Sequence, residues 1–152
     1  MANTYSQIYM HIVFAVRDWK CLIKDEWRED LFRYITGACK NRNHYVYAIN
    51  GMPDHVHLFI GMNPSESVSH LVQSIKSQSS KWVNDHYLHG DFHWQNGFGA
   101  FSYSRSLLPH VVKYIANQQE HHKRFSFHDE LISILDKAGV EYNEDYNMKG
   151  FV

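Results

Sequence analysis

Residues 55–60 read His-Val-His-Leu-Phe-Ile. In a strand, successive side chains point to opposite faces, so His55 and His57 share one face, ~7 Å apart, and Val56, Leu58 and Ile60 share the other. Two imidazoles so placed can close on one divalent ion, and with a pKa near 6.5 they offer neutral nitrogens at pH 7. The chain holds 12 histidines. A His-hydrophobic-His triplet arises by chance roughly 0.4 times in such a composition, so the pair needs support from elsewhere.

That support is a tyrosine and an amide on a later helix. Leu108, Val111, Val112 and Ile115 form an apolar stripe at helical spacing. Tyr114 and Gln118 are four residues apart and so lie on one face beside that stripe, with His121 a turn further on. A phenol with a pKa near 10 is a poor nucleophile at neutral pH. It can attack a phosphodiester if a metal polarises the phosphate and neutralises the developing charge. Two imidazoles and one amide oxygen leave positions open for phosphate oxygens and water. Magnesium or manganese fits that role, with zinc the second choice because it more often takes Cys or a third His.

The elements that must position these groups are legible from periodicity. Residues 5–16 alternate as a strand, with Ile8, Met10, Ile12, Phe14 and Val16 on one face and Gln7, Tyr9 and His11 on the other. A helix is expected over 24–41 and a strand over 45–50. A turn at Gly51-Met52-Pro53-Asp54 then leads into a strand over 55–61. A helix over 67–86, a loop over 90–99 and a short strand over 100–104 follow. The catalytic helix is expected over 107–122, with Ser106 as its cap and Pro109 in its first turn. A last helix over 127–139 precedes a polar C-terminus. The order β-α-β-β-α-β followed by helices predicts an α+β fold. It is the ferredoxin-like split βαβ arrangement, an antiparallel sheet with two helices on one face and additional C-terminal helices. The other face is expected to be free for a site or a partner.

At 152 residues, 44 % hydrophobic and 20 % charged, the chain suits one folded domain rather than two or a disordered segment. Residues 1–125 carry 13 Lys and Arg against 10 Asp and Glu, whereas residues 126–152 carry 2 against 6. The body is thus mildly basic and the tail acidic, which permits a phosphate-binding surface on the body. Cys21 and Cys39 have no metal-ligand spacing and read as buried free thiols of a reducing, cytoplasmic setting. No membrane span or secretory signal is expected.

Taken together in chain order, these motifs resemble the single-tyrosine HUH transposases of the insertion sequence 200 and 605 family, including its palindrome-associated domesticated relatives. The resemblance rests on His55-Val56-His57 preceded by Met52-Pro53-Asp54, and on Tyr114-Ile115-Ala116-Asn117-Gln118. It also rests on Trp94-Gln95-Asn96-Gly97-Phe98, on Phe101-Ser102-Tyr103-Ser104, and on His11-Ile12-Val13-Phe14 in the opening strand. It implies that residues 1–125 form the transposase domain and that 126–152 add a helix and acidic tail to the same domain. It implies a magnesium or manganese ion on His55, His57 and Gln118, with Tyr114 as nucleophile. It further implies cleavage and rejoining of hairpin-bearing single-stranded DNA through a 5′-phosphotyrosine. The active unit would be a homodimer with composite sites, the tyrosine helix of one subunit facing the histidine strand of the other. Arg17, Lys20, Arg105, Lys113, Lys123 and Arg124 are the candidate DNA contacts. Many relatives carry a basic Thr-Lys-Tyr-like stretch after the first strand, where this chain has Val16-Arg17-Asp18-Trp19-Lys20. Two other readings stand beside this one: a domesticated protein that binds hairpin DNA without transposing it, and a histidine-rich metal-binding protein unrelated to DNA.

Overall fold

The computed structural model describes residues 3–142. The expected strands form one antiparallel sheet. They are β1 (Tyr9–Ala15), β2 (Tyr45–Met52), β3 (His55–Gly61) and β4 (Gly99–Ser102), in the order β2-β3-β1-β4. This is the order of the split βαβ fold: α1 crosses the position that β3 fills later, and α2 crosses back over β1. Helix α1 (Asp25–Asn41) and helix α2 (Val68–Val83) cover one face. Their Leu31, Ile35, Leu71 and Ile75 pack on Ile12, Phe14, Leu58 and Ile60, all of them buried. Ser67 caps α2 by accepting from the His70 N–H. Trp94 joins this core edge-on to Phe14, a packing role rather than a stacking platform.

The other face is not free. Three short helices, α3 (Leu108–Ala116), α4 (Gln118–His121) and α5 (Phe127–Ala138), lie against it. Phe59 packs on Val111 and Ile115. Val13, Ala15 and Phe101 pack on Phe127, Leu131 and Leu135. The stripe of α5 must leave water, and the sheet offers it an apolar surface in Val13, Ala15 and Phe101. As a result every side chain from Ile12 to Val16 is buried, and the alternation of β1 separates two cores instead of core from solvent.

The predicted helix over 107–122 is broken. A 3-10 turn at Arg105–Leu107 precedes it, so Ser106 lies inside that turn and does not cap α3, while Pro109 does sit in the first turn. At Asn117 the backbone leaves helical geometry (φ -95°, ψ 18°), and α4 starts after this break. The Asn50 amide on β2 holds this break by donating to the carbonyls of Ile115 (3.0 Å) and Ala116 (3.2 Å). These are orphan carbonyls of a helix end. Two smaller expectations also change. The first strand begins at Tyr9, and Cys21 is exposed while Cys39 is buried. Residues 143–152 of the acidic tail lie outside the described residues.

Candidate active site

His55 and His57 point from β3 toward the face covered by α3–α5, and both are fully buried. Gly51, at the end of β2 opposite Val56, allows the hairpin to close there. A Cβ at Gly51 would collide with the His55 carbonyl oxygen. Each histidine is held from behind. The Nδ1 of His55 bonds to Asp54 Oδ1 at 2.7 Å, and the Nδ1 of His57 bonds to His11 Nε2 at 2.7 Å, with the His11 ring stacked on it. Both Nε2 atoms therefore face inward. Orientation by a second partner of this kind is the usual support of a metal-binding imidazole.

The inward nitrogens meet a carboxylate from α5. Glu130, 2 % exposed, accepts from His57 Nε2 at 2.8 Å and lies 3.1 Å from His122 Nε2. It also accepts from Gln118 Nε2 at 2.8 Å and from the Tyr114 hydroxyl. The carbonyl oxygen of Gln118 is 3.2 Å from His55 Nε2 and 3.1 Å from His122 Nε2. All four predicted site residues thus converge within one chain: Tyr114 through Glu130, and Gln118 directly on His55. The bend at Asn117 matters here, since it leaves Gln118 buried while Tyr114 stays half-exposed.

Electrostatics follow from this burial. Burial disfavours a charged Glu130, but hydrogen bonds from His122, His55 and His57 outweigh it and hold the carboxyl far below its usual range. Burial lowers His57 more than Glu130 raises it, whereas for His55 the bonds to Asp54 and Glu130 win and its pKa rises. His11 is driven well down by burial and by its neighbour His57. Burial and the adjacent Glu130 charge push the Tyr114 phenol well above its usual value. In this state Tyr114 is a neutral hydrogen-bond donor.

The donor set fits a divalent metal. His55, His57, His122 and Glu130 each bring a ligand atom to within 4.8 Å of the others, and the Gln118 oxygen lies among them. Three imidazoles and a carboxylate suit manganese or zinc better than magnesium, which prefers oxygen.

The six candidate DNA contacts are dispersed. Lys113 and Arg124 line a cleft beside Tyr114. Lys123 is paired with Glu120 at 2.9 Å on the same segment. Arg17 lies on a separate groove with Lys76 and His93. Lys20 and Arg105 are exposed on the turns that follow β1 and β4. Among the described residues no helix is long and apolar enough to cross a membrane.

Comparison with known proteins decides the family. The sequence profile described as "Transposase IS200 like" matches residues 4–118, about three quarters of the chain. The chain belongs to the IS200-like transposase family. A curated relative, the ISDra2 transposase TnpA of Deinococcus radiodurans, is 22 % identical over 120 residues, covering 75 % of this chain and 86 % of its own. A crystal structure from Deinococcus radiodurans R1, assigned as a transposase, superposes with a TM-score of 0.64 at 20 % identity. It covers 78 % of this chain and 95 % of that one. A REP-associated tyrosine transposase solved with a REP hairpin gives a TM-score of 0.61 at 18 % identity, over 80 % of this chain and 73 % of its own. Membership sets aside the histidine-rich protein unrelated to DNA.

The IS200-like match ends at residue 118, so His122 and Glu130 lie beyond it. Neither was singled out from the sequence, and the acidic segment that carries Glu130 had no assigned role. A signal existed for Glu130. It occupies the stripe of α5 with Phe127, Leu131 and Ile134, where a carboxylate belongs only if something neutralises it. His11 had a weaker signal, standing on the same face of β1 as Tyr9 and so on the face that His55 and His57 share.

Proposed function

We propose that this IS200-like transposase cleaves and rejoins hairpin-bearing single-stranded DNA through Tyr114, with a divalent metal held by His55, His57 and Gln118. The observation that carries this reading is the convergence of Tyr114, Gln118 and His57 on one buried carboxylate, Glu130. The Tyr114 oxygen would attack the phosphorus, and the bond to the 3′ oxygen would break. A 5′-phosphotyrosine and a free 3′-OH result, the latter taking up a proton. The stored phosphodiester bond lets the reverse attack reseal the strand without another energy source. Glu130 orients the Tyr114 hydroxyl toward the site and holds its proton at Oε2. Asp54 and His11 fix the two histidine rings. A bound metal would supply charge neutralisation at the phosphate oxygens.

The hairpin part of the proposal leans on a structural neighbour solved with a REP hairpin. Magnesium or manganese is the proposed ion, and the imidazole-rich donor set supports manganese. DNA contact by Arg17, Lys20, Arg105, Lys113, Lys123 and Arg124 is proposed from their charge, a cytoplasmic setting from the free cysteines, and assembly as a homodimer follows from the family reading. So does a single domain in which residues 126–152 complete 1–125. The test is a denaturing gel of the protein with labelled single strands spanning both flanks of its gene, with metal added. A covalent band that needs metal and single strands, and is lost in Tyr114→Phe, is expected. A band that persists in Tyr114→Phe removes Tyr114 from the role.

A further inference from the structure

Tyr114 stands on a ridge between two hollows of different chemistry. On one side, β4, α3 and α5 enclose a cavity of about 580 Å³, within the ~300–1,000 Å³ typical of small-ligand sites. Its walls are largely apolar and aromatic, with Phe101, Tyr103, Val111 and Ile134; the buried His11 and Glu130 also line it, and Ser133 and Lys137 stand exposed on its rim. On the other side lies a cleft of about 620 Å³ whose walls include Lys113, Asn117, Arg124 and Phe125, together with Glu120, whose carboxylate is paired with Lys123. Phe125 is 50 % exposed, with its ring stacked on His121 at 5.1 Å. Among the described residues no carboxylate pairs with Lys113 or Arg124. Tyr114, His110 and His121 line both hollows. The Nε2 of His121 is buried 3.3 Å from Glu130, without hydrogen-bond geometry.

We infer that the cleaved strand crosses the ridge at Tyr114. One base beside the cut enters the cavity between β4 and α5, and the neighbouring backbone lies on Lys113, Arg124 and Phe125. The inference rests on the proposed chemistry only in taking the phosphate at Tyr114 as the one that is cut. An aromatic-walled hollow accepts the flat face of a base, and unpaired cations beside an exposed ring suit a sequence-tolerant single strand. A base still paired in a duplex cannot enter a side cavity, so the hollow itself selects unpaired DNA. It also makes α5 a determinant of which nucleotide is tolerated next to the cut.

Binding in the Tyr114→Phe protein tests this without chemistry. Single strands from the gene flanks, each with one abasic nucleotide moved stepwise along the strand, are titrated by fluorescence anisotropy. One position should weaken binding about tenfold, the scale of one base stacked on aromatic groups. Ser133→Trp, on the exposed rim, should fill the cavity and cost the same on intact DNA, with no further loss at that abasic position. Ile134→Trp repeats the test from the wall. Lys113→Ala with Arg124→Ala should reduce the slope of log affinity against log salt by about 1.4. No sensitive abasic position, or losses from Ser133→Trp and the abasic site that simply add, would overturn the inference. Because these titrations read binding alone, a missing covalent band in the wild type would refute the Tyr114 chemistry and leave this result intact.

Discussion

Asn50 and Gln119 exchange two amide hydrogen bonds, 2.9 Å from Asn50 to Gln119 and 2.8 Å in return. Both link the sheet edge to α4, and with the Asn50 bonds to Ile115 and Ala116 the set fixes the bend between the tyrosine and the glutamine. Asn50→Ala removes every one of these bonds. A loss of about 1–3 kcal/mol is expected, because partly buried carbonyls and an amide are left unpaired. Thermal unfolding reads the stability. A drop in covalent adduct larger than the loss of folded protein would show that the bend also positions Gln118.

Glu130→Gln keeps the shape of the side chain and removes its charge. Metal affinity measured by calorimetry should fall about 10–100-fold, the effect typical of losing a charged partner in or next to a metal's ligand shell. An unchanged affinity would place Glu130 outside the metal's reach. His122→Ala is the companion variant, and its effect should be smaller if Gln118 supplies the neighbouring ligand.

Whether the site works within one chain is open to a mixing experiment. Here the tyrosine, amide and histidines meet in a single chain, whereas the family resemblance places the tyrosine opposite a second copy. Tyr114→Phe and His57→Ala proteins are each expected to be inactive. If the mixture stays inactive, the site acts within one chain. If adduct returns in the mixture, composite sites form between two chains.

Much of this was legible in the sequence, and the parts that were not have a common cause. Strand alternation is local, so His55 and His57 could be placed on one face from the sequence alone. The bend at Asn117 has no proline or glycine to announce it, and the Asn50 amide that holds it bonds to Ile115 across 65 positions of sequence. Glu130 was hidden differently: counted with its acidic neighbours it reads as surface charge, and only its position among Phe127, Leu131 and Leu135 marks it as buried. The covered second face of the sheet follows from the same stripe.

A pH effect is expected away from the active centre. Burial disfavours the Glu66 carboxylate, but bonds from His44, Arg42 and His70 outweigh this and lower its pKa from 4.5 to about 2. A carboxyl lowered on folding contributes stability above its unfolded value and loses it as pH falls through the folded value. Unfolding of the metal-free protein should therefore steepen between pH 4.5 and about 2. Glu66→Gln should flatten that part of the curve. An identical acid limb in the variant would assign the effect elsewhere.

Helix α5 is made after every other described element of the fold, and it brings the carboxylate that the tyrosine, the glutamine and a histidine all touch. A growing chain stopped short of residue 130 could present the whole sheet, both strand histidines and the tyrosine while lacking this group. The centre is therefore closed by the last described element of the chain: without α5 docked on the sheet, Tyr114, Gln118 and His57 have no shared partner.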